Sequence, residues 1–195
     1  MKIRDSGMPE QFVWDGFFDA PRILQKLRLE FSEEDVVDIG CGFGTFSVAA
    51  ARMTRGIVHA LDIDSGMISA TLSRARAAGL GNIKAVVRDV VATGTGVPDV
   101  AAGYVMLFNI LHAEDSLGLL REAHRILRPG GLAALIHWVH EARTPRGPPL
   151  EIRPRPQQCQ EWGRETGFVS HETVLLPPHH FGLVLEKPAV RQGAE

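Results

Sequence analysis

Apolar residues in this 195-residue chain fall into two alternating rhythms. Short β-branched or apolar runs at 36–39, 57–61, 83–87, 101–108 and 132–138 read as strands, and the stretches between them carry apolar residues at helical spacing. Such alternation predicts a mostly parallel α/β sheet with helices on both faces. In the second inter-strand stretch, Ile68, Leu72 and Ala75 share one helical face between an N-cap at Ser65 and a left-handed stop at Gly79. The helix after the fourth strand is expected to bury Leu117, Leu120, Ala123 and Leu127 and to end at Pro129-Gly130-Gly131. Ahead of the first strand, Asp19-Ala20-Pro21 opens a helix through Ile23, Leu24 and Leu27, preceded by the aromatic trio Trp14, Phe17 and Phe18.

The rhythm changes after residue 138. Residues 143–156 contain five prolines and four arginines, which cannot continue a helix or a central strand, so an ordered loop or lid is expected. A short helix over 156–166, a strand over 168–176, the break Pro177-Pro178 and a strand over 181–186 follow; the two strands predict an antiparallel hairpin, and the terminal RQGAE reads as a frayed tail. One domain over 1–195 is expected: a helical front segment (1–32), a core (33–138), then the Arg/Pro loop, helix and closing hairpin (139–190).

Composition narrows the function classes. A hydrophobic fraction of 45%, a charged fraction of 23% and a net charge of −2 describe a globular chain with no bulk attraction to nucleic acid. Cys41 and Cys159 are too few for a disulfide framework or a cysteine zinc site, which fits a reducing, cytoplasmic setting. The N-terminal MKIRDSGMPE has no apolar signal region, and the longest apolar stretch, 100–111, is interrupted by Asn109 and falls short of the roughly 20 residues a spanning helix needs.

The sharpest local signal is VVDIGCGFGTF at 36–46, a strand running into closely spaced glycines and then a helix. Gly40, Gly42 and Gly44 let the backbone turn tightly and approach a ligand at the carboxyl edge of the sheet. A dinucleotide fingerprint needs glycine at 45, where this chain has Thr45, and a P-loop needs a Lys-Ser or Lys-Thr that is missing. Asp62 ends the second strand 22 residues after Gly40, close to the spacing at which an acid reaches ribose hydroxyls. Asp64 reads as a solvated residue near a helix start; Asp89 and Asn109 follow the third and fourth strands at the same edge.

These pieces, with HALDID, VVRDV, FNILH and HRILRPGGLAALIHW in family order over about residues 33–138, resemble the class I S-adenosylmethionine-dependent methyltransferases. The segment PPHHFGLV is similar to the closing hairpin of a bacterial and archaeal subgroup of small methyltransferases. The resemblance implies a Rossmann-like seven-stranded sheet in order 3-2-1-4-5-7-6 with strand 7 antiparallel. It also implies S-adenosylmethionine as cofactor and S-adenosylhomocysteine as product. Asp38 and the backbone around Gly40 and Gly42 would hold the methionine moiety, Asp62 the ribose hydroxyls, Ile63 and Asp89 the adenine, and the Asn109 carbonyl region the α-ammonium. Cys41, Gly44, Met67 and Val90 complete the implied cofactor set.

On the acceptor side, the hairpin topology predicts His179 and His180 at the cofactor edge, within reach of His137, Trp138 and Asn109, with His112 following strand 4. One of these four histidines is the expected base for a hydroxyl or thiol acceptor. No metal site is expected, because carboxylates do not accompany them. The Arg/Pro loop reads either as a clamp for an anionic small molecule or as a solvated, proline-stiffened loop. Methyl transfer to a small molecule by in-line displacement is the reading adopted, by a monomer or homodimer. A noncatalytic S-adenosylmethionine-binding module is the alternative, and a nicotinamide oxidoreductase is weakened by Thr45.

Overall fold

The computed structural model describes residues 10–141 and 143–189; the expected frayed tail at 191–195 lies outside them. One mixed sheet organises the chain. Its strands are β1 (Asp35–Ile39), β2 (Val58–Asp62), β3 (Ile83–Val87), β4 (Ala102–Phe108), β5 (Leu127–Trp138), β6 (Val169–Ser170), β7 (Val174–Leu176) and β8 (His180–Glu186). Their order is β3-β2-β1-β4-β5-β8-β6, with β7 also on β8; β1 to β5 pair in parallel, and β8 runs antiparallel to β5. The expected order is therefore found, except that the penultimate strand is two short pieces. His171 N–H still donates to the Val184 carbonyl across the gap, so one broken strand lies along β8.

Apolar alternation on the strands feeds two cores, one on each face. Against α2 (Ala20–Lys26) and α3 (Thr45–Ala50) pack Val36, Met106, Phe108, Ala134, Ile136 and Trp138. Against α6 (Ser116–Ile126) and α7 (Pro156–Glu165) pack Val37, Ile39, Val105, Leu107, Leu135, Phe181, Leu183 and Leu185. A short α1 (Gln11–Asp15) precedes α2, which starts as expected with the Asp19 carboxylate accepting from Arg22 N–H. No helix among the described residues is long and apolar enough to cross a membrane.

Two helix ends differ from expectation for identifiable reasons. α4 (Ser65–Ala77) is capped by Asp64, not Ser65: the Asp64 carboxylate accepts from Gly66 N–H at 2.7 Å. α6 stops at Ile126 and buries Leu119, Leu120, Ala123 and Ile126, leaving Leu117 only half-buried and Leu127 as the first residue of β5. Proline at 129 pushes Arg128 out of the helical region, so the chain is already extended two residues before the proline.

Candidate active site

Four strand ends build the site. At the end of β1, Gly40, Gly42 and Gly44 have φ of +78°, +55° and +76°, a run of left-handed turns that only glycine adopts without strain. Gly44 is also pinned by space, since a Cβ there would come within 2.7 Å of the Thr71 hydroxyl on α4. Gly42 N–H donates to Asp62 Oδ2 at 2.9 Å, which ties the glycine turn of β1 to the acid that ends β2; Asp64 N–H occupies Asp62 Oδ1 at 2.9 Å. Burial holds the Asp62 carboxyl above the usual range despite these donors.

Asp38 lies deeper, 2% exposed, and accepts from the Ser47 hydroxyl at 2.5 Å. Burial raises its pKa to about 7, partly opposed by that bond. Cys41 is buried beside it, and burial with the neighbouring Asp38 charge pushes its thiol well above the ordinary range, which removes it as a nucleophile. Asp89 caps α5 (Val90–Thr93), the short helix that fills the gap after β3, accepting from Ala92 N–H at 3.0 Å. Ile63, Met67, Asp89 and Val90 are half-buried around the ends of β2 and β3.

Asn109 follows β4 with φ of +54°, and neither its amide nitrogen nor its amide oxygen has a partner although both are buried. Next to it, Ile110 closes over the glycine turn, so that a Cβ on Gly40 would meet its Cδ1 at 2.8 Å. A strained asparagine with unspent donors and an acceptor, beside a cradle too tight for any side chain, suits a polar ligand lying across β1, β2 and β4. The donor set fits S-adenosylmethionine: Asp62 for vicinal hydroxyls, Asn109 and Asp38 for an amino acid end.

The four candidate histidines do not meet in one pocket. Strand alternation sends His137 to the α6 face, where its Nε2 lies 3.3 Å from Nδ1 of His112. His180 pairs with Trp138 in the antiparallel register and packs against Phe17, Phe18 and Trp138 on the opposite face, 2% exposed with both ring nitrogens unpartnered. His179 stacks on Trp138 at 6.2 Å between centroids. Burial lowers the pKa of His112 to about 4, that of His180 to about 3 and that of His137 well below the ordinary value.

The Arg/Pro loop is held from inside. The Arg153 guanidinium, 7% exposed, donates to the carbonyls of Val139 at 3.0 Å and Pro148 at 2.7 Å and to the Thr144 hydroxyl at 2.7 Å. It therefore organises the loop and is not available as an anion clamp; Arg143, Arg146 and Arg155 are exposed. Sequence reasoning also missed Asp15, whose carboxylate accepts from Thr45 at 2.6 Å and from Arg74 at 3.0 Å, strapping α1 over the start of α3. A five-residue helix carries no sequence signal for such a tie.

Comparison with known proteins agrees with this geometry. Residues 36–131 match the model of a methyltransferase domain family. Aklanonic acid methyltransferase DauC of Streptomyces sp. strain C5 is 36% identical over 141 residues, covering 71% of this chain and 63% of that protein. Demethylmenaquinone methyltransferase of Geobacillus kaustophilus is 29% identical over 117 residues, covering 58% and 49%. The chain thus spans about half to two thirds of these relatives' length. A SAM-dependent methyltransferase structure from Aquifex aeolicus superposes with a TM-score of 0.79 at 22% identity, covering 93% of this chain and 94% of that one. By its glycine turn, its strand-end acids, its sheet order and these matches, the chain belongs to the class I S-adenosylmethionine-dependent methyltransferases.

Proposed function

We propose that the chain transfers the methyl group of S-adenosylmethionine to a small-molecule acceptor. The observation that carries the reading is Asn109, left-handed, buried and with both amide atoms unpartnered, at the strand end beside the glycine turn. When bound, the cofactor supplies an electrophilic methyl group on a sulfonium sulfur. The protein's own contribution is alignment and exclusion of water, because an in-line displacement asks for little covalent chemistry from side chains. Asp62 would hold the ribose hydroxyls while fixed by Gly42, and Asp38 with Asn109 would orient the methionine end. Ile63, Met67, Asp89 and Val90 would enclose the adenine, and Ile110 would keep the sulfonium side dry. The names of the two relatives, for aklanonic acid and demethylmenaquinone, support a small organic acceptor.

A panel of phenols, quinols and carboxylic acids incubated with methyl-labelled S-adenosylmethionine tests this reading. Label appearing in an acceptor, with S-adenosylhomocysteine formed in equal amount, is expected. Cofactor that binds but is never consumed with any of them would favour the noncatalytic module.

A further inference from the structure

Between the start of α6, the turn at Leu150–Ile152 and α7 lies a cavity of about 440 Å³. Its lining starts at the residue after Ile110, which is seated on the glycine turn, and Leu111 and His112 form its near wall. Leu117, Ile152 and Trp162 supply apolar lining suited to a flat ring. Its charged groups are the carboxylates of Glu114, Asp115 and Glu151 and the guanidinium of Arg153, which is already spent on loop carbonyls. An anionic occupant is therefore disfavoured, contrary to the clamp reading of the arginine-rich loop.

His112 is the polar feature the fold leaves unfinished there. It is 4% exposed, its Nε2 has no partner, and its Nδ1 faces Nε2 of His137, which is 1% exposed. Nδ1 of His137 has no partner in turn, so the contact is made with Nε2 of His112 left as a free acceptor when Nδ1–H of His112 donates to Nε2 of His137. In that arrangement His112, a lining residue of the cavity, carries an unprotonated Nε2 buried within the wall.

Resting on the methyltransferase reading, we propose that this cavity seats the methyl acceptor, an uncharged phenol or enol, and that Nε2 of His112 takes its hydroxyl proton, with His137 as the positioning residue. An oxygen lone pair forms the bond to the methyl carbon, and the carbon–sulfur bond breaks with its electrons left on sulfur. The O–H proton moves to His112, which becomes an imidazolium still donating through Nδ1 to His137 and later loses the proton to water. Charge is conserved, because the sulfonium charge ends on the imidazolium.

Nitrogen-15 NMR of the histidine rings tests this without turnover, alongside calorimetry with S-adenosylhomocysteine, whose failure to bind would sink the family reading separately. His112 is expected as the Nδ1–H tautomer, the minor form in water, and His137→Leu is expected to shift it toward Nε2–H. As probes, 1-naphthol should perturb the His112 ring and bind about tenfold more tightly than 1-methoxynaphthalene or 1-naphthoate. His112→Phe should erase that preference while S-adenosylhomocysteine affinity stays within about twofold. A protonated Nε2 on His112, an unchanged tautomer in His137→Leu, equal binding of the three probes or no effect on His112 would each overturn the proposal. The tautomer of the unaltered protein decides the matter even where a variant does not fold.

Discussion

Asp62 and Asp64 sit two residues apart and do different work. Asp62 Oδ2 holds the glycine turn through Gly42, whereas Asp64 caps α4 through Gly66. Asp62→Ala is thus expected to weaken S-adenosylhomocysteine binding by roughly ten- to hundredfold, consistent with about 1–3 kcal/mol for a lost charged hydrogen-bond partner. Asp64→Ala should lower the melting temperature through a lost cap of about 1 kcal/mol and leave binding nearly intact. Calorimetry and thermal melts on both variants separate the two roles, and equal binding losses would contradict the assignment. Asp38, with a pKa raised to about 7 by burial, makes a second claim at this scale. A cofactor carrying a sulfonium and an ammonium favours its ionised form, so binding near pH 7 should release a fraction of a proton. Titrations in two buffers of different ionisation enthalpy should give different apparent heats, and the difference should vanish in Asp38→Asn. Of these positions, Asp62 and the glycines were legible from spacing, and Asp38 only through the family resemblance. The division between Asp62 and Asp64 was read from position too, but the tie of Asp62 to Gly42 and the cap of Asp64 on Gly66 were not, because both depend on side-chain direction.

Elements follow the sequence where a local rule governs them. Gly79 at φ +67° stops α4, and Asp19 starts α2, both as turn chemistry requires. Leu127 went to a strand, not a helix, because the constraint acting on Arg128 comes from the next residue along. The split between β6 and β7 had no sequence mark, since the ladder to β8 resumes through His171. Gly44→Ala tests the most constrained turn, combining left-handed strain with a 2.7 Å approach to Thr71. It should cost on the order of 1–3 kcal/mol in a chemical-denaturation measurement and abolish cofactor binding; a variant as stable as the parent would show that the turn relaxes. Arg153→Leu removes the donors that gather Val139, Thr144 and Pro148. Limited proteolysis should then cut within residues 143–149, where the unaltered protein resists, and unchanged resistance would show that the prolines alone hold the loop.

Across the whole molecule, the histidines show what periodicity cannot reveal. His112, His137 and His180 all belong to one sheet edge, but the pleat sends His137 toward α6 and His180 toward α2, and pairing of β5 with β8 sets that register. All three are neutral when folded, with values held below the ordinary 6.5 by burial, and Asp38 is raised. Depressed histidines cost stability as pH falls from about 6.5 toward 4, because the unfolded chain takes up protons that the folded one does not. Asp38 acts in the opposite sense, its contribution being present below about 4 and lost as pH rises through 7. The histidines outnumber it, so stability should drop by on the order of 2 kcal/mol per unit between pH 6 and 5. Denaturation curves over that range check the slope, and a flat profile would mean that the rings are solvated. S-adenosylmethionine is expected to bind across the ends of β1, β2 and β4. Direct calorimetric titration of S-adenosylmethionine, S-adenosylhomocysteine and NADH into the purified protein tests it. Saturable one-to-one binding of the first two, lost in Asp62→Ala, with no heat from NADH, is the predicted result; absent binding of both, or tighter binding of NADH, would contradict it.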